Sequence, residues 1–133
     1  MPTAPTIADG GAGLSPRPRE RLAHAQRLRS PADFDEVRRV GRRAEAGPFT
    51  LRVRVRAEGS RRLGVIASRK AGNAVLRNRA KRALRELFRR HPDVLPRACD
   101  VVVVVRRNFA EFTFAEIRER YLHAVKQAAK QKN

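Results

Sequence analysis

The residues of this chain that could do chemistry are mostly cations, and one segment concentrates them. Residues 61–90 contain 11 Lys or Arg and a single acid, Glu86. Arg77, Lys81 and Arg85 are spaced four residues apart, which places them on one ridge of a helix. Guanidinium and ammonium groups bind phosphates, and such a ridge can follow a phosphate backbone. The pattern predicts nucleic-acid binding, because a merely solvated helix face would carry acids to relieve the repulsion between its cations.

Groups suited to catalysis or metal binding are scattered. His24, His91 and His123 have no ligand-like spacing, and the acids do not form the carboxylate cluster that a metal-dependent nuclease needs. An autonomous protein nuclease is therefore disfavoured, and we expect neither a catalytic residue nor a bound metal or cofactor in this chain. The single cysteine, Cys99, excludes an internal disulfide and is interpreted as a small buried hydrophobe in a reducing compartment.

The charge balance of the whole chain also favours a polyanionic partner. Its 133 residues include 31 Lys or Arg and 13 Asp or Glu, a formal net charge of +18. Nucleic acid is the first candidate partner, and an anionic membrane surface is a distant second. The longest strongly apolar run, Val101 to Val105, is far too short to span a bilayer, and no secretory signal pattern is found. We expect a cytoplasmic protein without membrane contact.

The length suits one domain, with short tails at both ends. Residues 1–20 are rich in Pro, Gly, Ala and Thr, which predicts a flexible leader. Residues 21–130 are predicted to form a single RNA-binding α/β domain, and residues 131–133 a frayed C-terminus. Helices are predicted to follow Ser30, to span 75–90 and to follow Thr113, and strands to span 49–56, 62–68 and 100–106.

The order α-β-β-α-β-α predicts an α+β two-layer sandwich with a mixed sheet and a possible extra strand. Alternation from Phe49 to Arg56 gives that strand one apolar face, with Phe49 in the core, and one cationic face. A hairpin through Glu58 is expected to join this strand to the next. The unbroken valine run predicts a strand buried on both faces in the middle of the sheet. Tyr121 has the helical phase of a core residue.

Helix starts have local signals of their own. Ser30 is expected to cap the first helix, and Thr113 with Glu116 forms a capping-box pattern before the last helix. Gly72 and Asn73 precede the central helix, where a turn with positive φ is predicted. The free N–H groups of the first turn of that helix favour phosphate.

One segment has a specific resemblance. Residues 62–86 read RLGVIASRKAGNAVLRNRAKRALRE, which closely resembles the signature of the bacterial ribonuclease P protein subunit. The specificity lies in the long frame around the Arg-Asn-Arg core at 77–79, since an isolated tripeptide would mean little. Leu28-Arg29, Asp33-Phe34, Val37 and Gly41 match the first helix of that family. The similarity in element order runs from about 27 to 127.

The resemblance implies a fold and a function. The family has an α/β sandwich like the second domain of ribosomal protein S5. Catalysis belongs to its RNA subunit, which uses Mg²⁺ to remove the 5′ leader from precursor tRNA. The protein is implied to be an accessory subunit that binds the catalytic RNA and precursor tRNA and is otherwise monomeric. A ribosomal-type RNA-binding protein without an enzymatic partner is the alternative that composition alone leaves open.

The resemblance also assigns roles to individual residues. It implies that the catalytic RNA is contacted by Arg69, Lys70, Arg77, Asn78, Arg79, Lys81, Arg82 and Arg85. It implies that the turn and the start of the helix are formed by Gly72, Asn73, Ala74 and Val75. A cleft between the first helix and the sheet takes the leader, with Phe34, Arg38 and Arg52 as its residues. Many relatives carry aromatic residues where this chain has Arg38 and Arg52, and Phe34 has a second interpretation as a plain core residue.

Overall fold

The computed structural model describes residues 26–130. Outside the described residues lie the predicted flexible segment 1–20 of the protein, the start of the predicted domain and the predicted frayed C-terminus. The elements are α1 (Pro31–Val40), β1 (Arg42–Glu45), β2 (Phe49–Val55), β3 (Arg61–Ile66), α2 (Ala74–Arg90), β4 (Cys99–Val105) and α3 (Phe114–Lys130). Short 3₁₀ turns lie at Arg69–Ala71, Pro92–Val94 and Arg107–Glu111. The observed sequence of elements confirms the predicted mixed α/β class, and β1 is the extra strand.

The sheet has the order β1-β2-β4-β3. β2 is antiparallel to both β1 and β4, whereas β3 is parallel to β4. The predicted hairpin between β2 and β3 is therefore wrong, because β4 lies between these two strands. The reason is the valine run: a strand that is apolar on both sides gains most from a central position, as predicted for it. The hairpin that forms instead joins β1 to β2, with Gly47 at φ 94° in its turn.

The two faces of the sheet are covered unequally. The main core lies between the sheet and the α2–α3 layer, and it includes Phe49, Cys99 and Tyr121 as predicted. A smaller core lies on the opposite face, where α1 buries Val37 against Leu28 and the central-strand residue Val102, with Phe34 and Ile66 packed around them. α1 leaves part of this second face open.

Capping explains where two of the helices begin. The Asn73 Oδ1 accepts a hydrogen bond from the Leu76 N–H at 2.9 Å, which starts α2 at Ala74. The predicted capping box is present before α3: the Thr113 N–H donates to Glu116 at 2.8 Å, and the Glu116 N–H donates to the Thr113 hydroxyl at 3.2 Å. Ser30 occupies the N-cap position of α1 and Pro31 the first turn, as predicted, but the Ser30 side chain makes no capping hydrogen bond.

Candidate RNA interfaces

The turn before α2 presents two cations at the start of a helix. Arg69 and Lys70 are exposed on the 3₁₀ turn, which ends at Gly72 with φ 130°. A side chain at Gly72 would be strained by this φ, and its Cβ would lie 2.9 Å from the Leu76 Cδ1. Glycine is therefore required to turn the chain into α2. The result is a pair of cations beside the first-turn N–H groups, which themselves favour phosphate.

α2 has one buried side and a wide cationic side. Its buried residues are Ala80, Leu84, Leu87 and Phe88. Its half-buried flank carries Arg77, Lys81 and Arg85, and its exposed surface carries Asn78, Arg79 and Arg82. Thus all six predicted RNA contacts on α2 lie on the flank or the exposed surface rather than in the core.

The acid of α2 serves only the end of the helix. Glu86 receives a hydrogen bond from Arg89 at 2.7 Å and forms a second ion pair with Arg90. Within residues 26–130, no ion pair engages the cations of the earlier turns, namely Arg77, Arg79, Lys81, Arg82 and Arg85. Apart from the buried Nε of Arg77, the donors of these side chains are not used in ion pairs and can bind phosphate oxygens.

On the other face of the sheet, α1 approaches closely at one glycine. A Cβ at Gly64 would lie 2.5 Å from the Phe34 ring, so only glycine lets the ring lie on β3. Phe34 is half-buried and packs against the core under α1. Phe34 is thus a core contact that is not fully buried, and its contact with the leader stays a prediction.

The Arg52 side chain reaches the backbone of α1 at Arg38. The Arg52 Nη1 donates to the Arg38 carbonyl at 3.3 Å, and the Arg38 side chain is 65% exposed, with its guanidinium 3.6 Å from Asp35. Arg38 follows Phe34 by one helical turn. On the same sheet face, Val104 of central strand β4 is 38% exposed. Phe34, Arg38 and Arg52 therefore border a stretch of sheet beside α1. We call this stretch the leader cleft after the role that the resemblance implies for it, which stays a prediction.

A buried carboxylate on this face was missed by sequence reasoning. Asp100 is fully buried and accepts two hydrogen bonds from Arg62, at 2.8 and 3.0 Å. Arg56 and Arg54 lie 3.3 and 3.8 Å from it, and Arg62 also donates to Asp33 of α1 at 3.4 Å. We call these five residues the Asp100 cluster. The hydrogen bond with Asp100 raises the pKa of Arg62 above its ordinary value.

Strand register explains the Asp100 cluster. Asp100 of β4 is the cross-strand partner of Arg54 on β2 and of Arg62 on β3, so the three side chains form one row. The sequence signal was an acid at the start of an apolar strand together with the first arginine of the 62–86 signature. This signal does not predict the Asp100 cluster until the strand order is known, because only the order places β4 between β2 and β3. The cluster ties α1 to the sheet through Asp33 and thereby holds one wall of the leader cleft.

The described residues offer no metal centre and no membrane span. Within residues 26–130 there is no group of three or more His, Cys, Asp or Glu that could hold a metal ion. Over the same range, no helix combines the length and the apolar character needed to cross a bilayer.

A mixed sheet has on one face a helix whose first cations form no ion pair within residues 26–130, and on the other a cleft bordered by arginines. This arrangement is that of a small nucleic-acid-binding protein. Comparison with known proteins makes this specific. The Ribonuclease P family model matches residues 22–129, and the chain belongs to this family. It is 39% identical over 101 residues to the ribonuclease P protein component of Desulfotalea psychrophila, covering 76% of this chain and 84% of that protein. It is 33% identical over 111 residues to that of Thermotoga maritima, covering 80% and 95%.

Solved structures agree with the sequence comparisons. The Staphylococcus aureus RNase P protein superposes with a TM-score of 0.71 at 34% identity, covering 78% of this chain and 95% of that one. The Thermotoga maritima protein gives a TM-score of 0.68 at 34% identity, covering 76% and 96%. The predicted family and fold are confirmed. The chain is an accessory subunit of the endoribonuclease that processes tRNA 5′ ends and a partner of its RNA, and the ribosomal-type alternative is not favoured.

Proposed function

We propose that the two faces of the sheet serve different RNAs: α2 and the turn before it bind the catalytic RNA, and the leader cleft binds the 5′ leader of precursor tRNA. The observation that carries this proposal is that the α2 cations from Arg77 to Arg85 form no ion pair within residues 26–130. In a chain of 133 residues with 13 acids, only Glu86 lies within α2, and it pairs at the helix end. Cations that the protein leaves uncompensated suit a polyanion.

The catalytic-RNA surface is proposed to act through phosphates. Arg69 and Lys70 approach the RNA from the turn, the α2 N-terminus adds its N–H groups, and the α2 cations continue along the backbone. Mg²⁺ is proposed to be bound by the RNA, since the described residues hold no cluster of metal ligands. The protein acts in the cytoplasm as a single copy on the RNA.

The leader cleft suits single-stranded RNA. The accessible part of Phe34 offers a stacking surface, and base stacking contributes about 1–3 kcal/mol per base. Arg38 and Arg52 add charge and can stack on bases through their planar guanidinium groups. Exposed Val104 provides an apolar floor between them and β3. Because mature tRNA has no leader, this cleft distinguishes the precursor from the product.

The first experiment tests the catalytic-RNA surface. Arg79→Ala and Arg82→Ala should each weaken binding to a bacterial ribonuclease P RNA and lower the slope of log affinity against log salt by about 0.7–0.9. Arg118→Ala, at an exposed position on α3, is the matched control and should change neither quantity. Unchanged affinity and slope in both α2 variants would contradict the proposal. The RNA-free protein should not cleave precursor tRNA.

The second experiment tests the leader cleft. In the reconstituted enzyme at low Mg²⁺, the double variant Arg38→Ala, Arg52→Ala should weaken precursor tRNA binding. Binding of mature tRNA and assembly with the catalytic RNA should barely change. Equal losses for precursor and mature tRNA would show that these arginines do not contact the leader.

A further inference from the structure

The outer edge of β3 brings an arginine from the start of the described chain next to α2. The Leu28 N–H donates to the Leu63 carbonyl at 2.9 Å, and Arg27 is paired in parallel with Leu63. Leu63 packs in the main core on the α2 side of the sheet. Side chains of paired residues share a face, so Arg27 lies on the α2 side as well. Its charge, together with burial as the larger cause, lowers the pKa of Arg85 on α2.

A second arginine of this edge faces the same way. Arg61 precedes Leu63 by two residues on β3, and residues two apart share a sheet face. The Nε atoms of Arg27 and Arg61 are buried without a hydrogen-bond partner, as are those of Arg77 and of the ion-paired Arg56 and Arg89. Unlike Arg56 and Arg89, neither Arg27 nor Arg61 has an acid beside it within residues 26–130. Leaving a buried donor unsatisfied is unfavourable, and buried polar groups in proteins are nearly always paired. We call the edge residues Arg27 and Arg61, together with Arg85 of the neighbouring helix α2, the edge arginines.

The edge arginines have no acid to balance them in the described chain. Over residues 26–130, none of the three takes part in an ion pair, whereas Arg62, the neighbour of Arg61 on the opposite face, is bound by two carboxylates. Two of the three, Arg27 and Arg85, are close enough for one charge to shift the pKa of the other. Like charges that are partly buried on the same face of the sheet repel each other, and an anion placed between them would relieve the repulsion.

We propose that Arg27 and Arg61 extend the catalytic-RNA surface of α2 across the outer edge of β3, where the edge arginines bind backbone phosphates. This inference rests on the proposed function of α2. Arg85 belongs to both surfaces, because it ends the flank that Arg77 and Lys81 begin. The leader cleft lies on the opposite face of the sheet, so the RNA that reaches Arg27 is the one that lies along α2. Arginine suits this role because its planar donors match a phosphate bidentately.

A purely structural role for Arg27 makes a different prediction. If its stem mainly packs the edge of β3, truncation should lower the melting temperature of the free protein. If Arg27 is a phosphate ligand, Arg27→Ala relieves the repulsion with Arg85 and should leave that temperature unchanged or raise it. The Leu28–Leu63 hydrogen bond belongs to the backbone and survives the substitution.

The experiment measures binding of the full chain to a bacterial ribonuclease P RNA over a range of salt concentrations. Arg27→Ala and Arg61→Ala should each weaken binding roughly tenfold, the effect of losing one charge-assisted contact. Each should also lower the log–log salt slope by about 0.7–0.9. Arg27→Lys and Arg61→Lys keep the charge and should retain the slope while losing part of the affinity. Arg118→Ala on α3 is the control, and Arg82→Ala on α2 is the positive reference.

The outcomes separate this inference from the function on which it rests. If Arg82→Ala weakens RNA binding but both edge variants match the wild type, the edge arginines are not ligands and only this inference fails. If Arg82→Ala is also without effect, the proposed role of α2 fails with it. If the edge variants lose affinity only for precursor tRNA in the assembled enzyme, the phosphates belong to the tRNA and the inference is overturned.

Discussion

The arginines of the Asp100 cluster and those in the middle of α2 are in opposite states. In the Asp100 cluster, Arg54, Arg56 and Arg62 are 19–24% exposed and surround a carboxylate that is fully buried. On α2, Arg79 and Arg82 are exposed and make no ion pair within residues 26–130. The same residue type thus fixes α1 to the sheet in the Asp100 cluster and is left for a ligand in the middle of α2.

The difference shows that the pairing of an arginine says more about its role than its presence does. Arg62 and Arg85 make this explicit through their pKa values. The hydrogen bond with Asp100 raises the pKa of Arg62, whereas burial and then the charge of Arg27 lower the pKa of Arg85. The first arginine is stabilised by its own protein. The second is destabilised by it, which is the condition that an RNA phosphate would reverse.

The largest expected effect is the loss of folding stability when the charge of Asp100 is removed. Asp100→Asn leaves Arg62 and its neighbours facing a neutral buried group, and breaking a buried ion pair on one side costs about 3–5 kcal/mol. Urea unfolding monitored by circular dichroism measures this loss. Asp35→Asn is the matched control, because Asp35 is 74% exposed and its contact with Arg38 spans 3.6 Å. A loss below about 1 kcal/mol for Asp100→Asn would mean that the cluster does not hold the fold.

The next largest effect tests how much the packing of Phe34 on Gly64, rather than charge, holds α1 on the sheet. In Gly64→Ala the new methyl would lie 2.5 Å from the Phe34 ring, so α1 or the ring must move. Overpacking of this kind costs about 1–3 kcal/mol. The displaced ring should also weaken precursor tRNA binding by the assembled enzyme. Adding Phe34→Leu should restore much of the stability but not the leader affinity, and failure to restore stability would exclude a clash with Phe34 as the cause.

Local patterns predicted much of the fold. The valine run gave a central strand, alternation placed Phe49 in the core, and the Thr113–Glu116 pair marked the start of α3, all as the structure has them. These features depend on neighbours in the sequence. The cations of α2 were likewise predictable, because helical spacing alone places Arg77, Lys81 and Arg85 on one flank.

Apart from the missing capping bond of Ser30, the errors and omissions concern contacts between distant segments. The hairpin between β2 and β3 is the short-range choice, and only the insertion of β4 excludes it. The Asp100 cluster joins three strands and α1, so it could not be predicted before the strand order was known. Arg27 lies far from the 62–86 signature in sequence, and only the pairing with Leu63 brings it to α2.

The smallest expected effect tests how far the charge of the arginines reaches into the core. Cys99 lies beside Asp100 on β4, and its thiol is 3.6 Å from the Pro96 carbonyl. Burial raises the pKa of Cys99 to about 11 and the charge of Asp100 adds to the rise, although the charges of Arg61 and Arg56 act to lower it. Desolvation together with Asp100 therefore outweighs the attraction of the two cations, and the thiol stays neutral in the folded protein.

This raised pKa predicts a pH dependence with a definite sign. Above its ordinary value near 9, the unfolded thiol loses its proton while the folded thiol keeps it, so stability falls as pH rises through 9 to about 11. At pH 10 the thiol contributes a loss of about 1.4 kcal/mol relative to neutral pH. Cys99→Ala removes this contribution, so unfolding free energies of the two proteins should converge between pH 8.5 and 10.5. If the two curves of unfolding free energy against pH run parallel, the pKa of Cys99 is not raised. That result would mean that the charges of Arg61 and Arg56 offset the effect of burial.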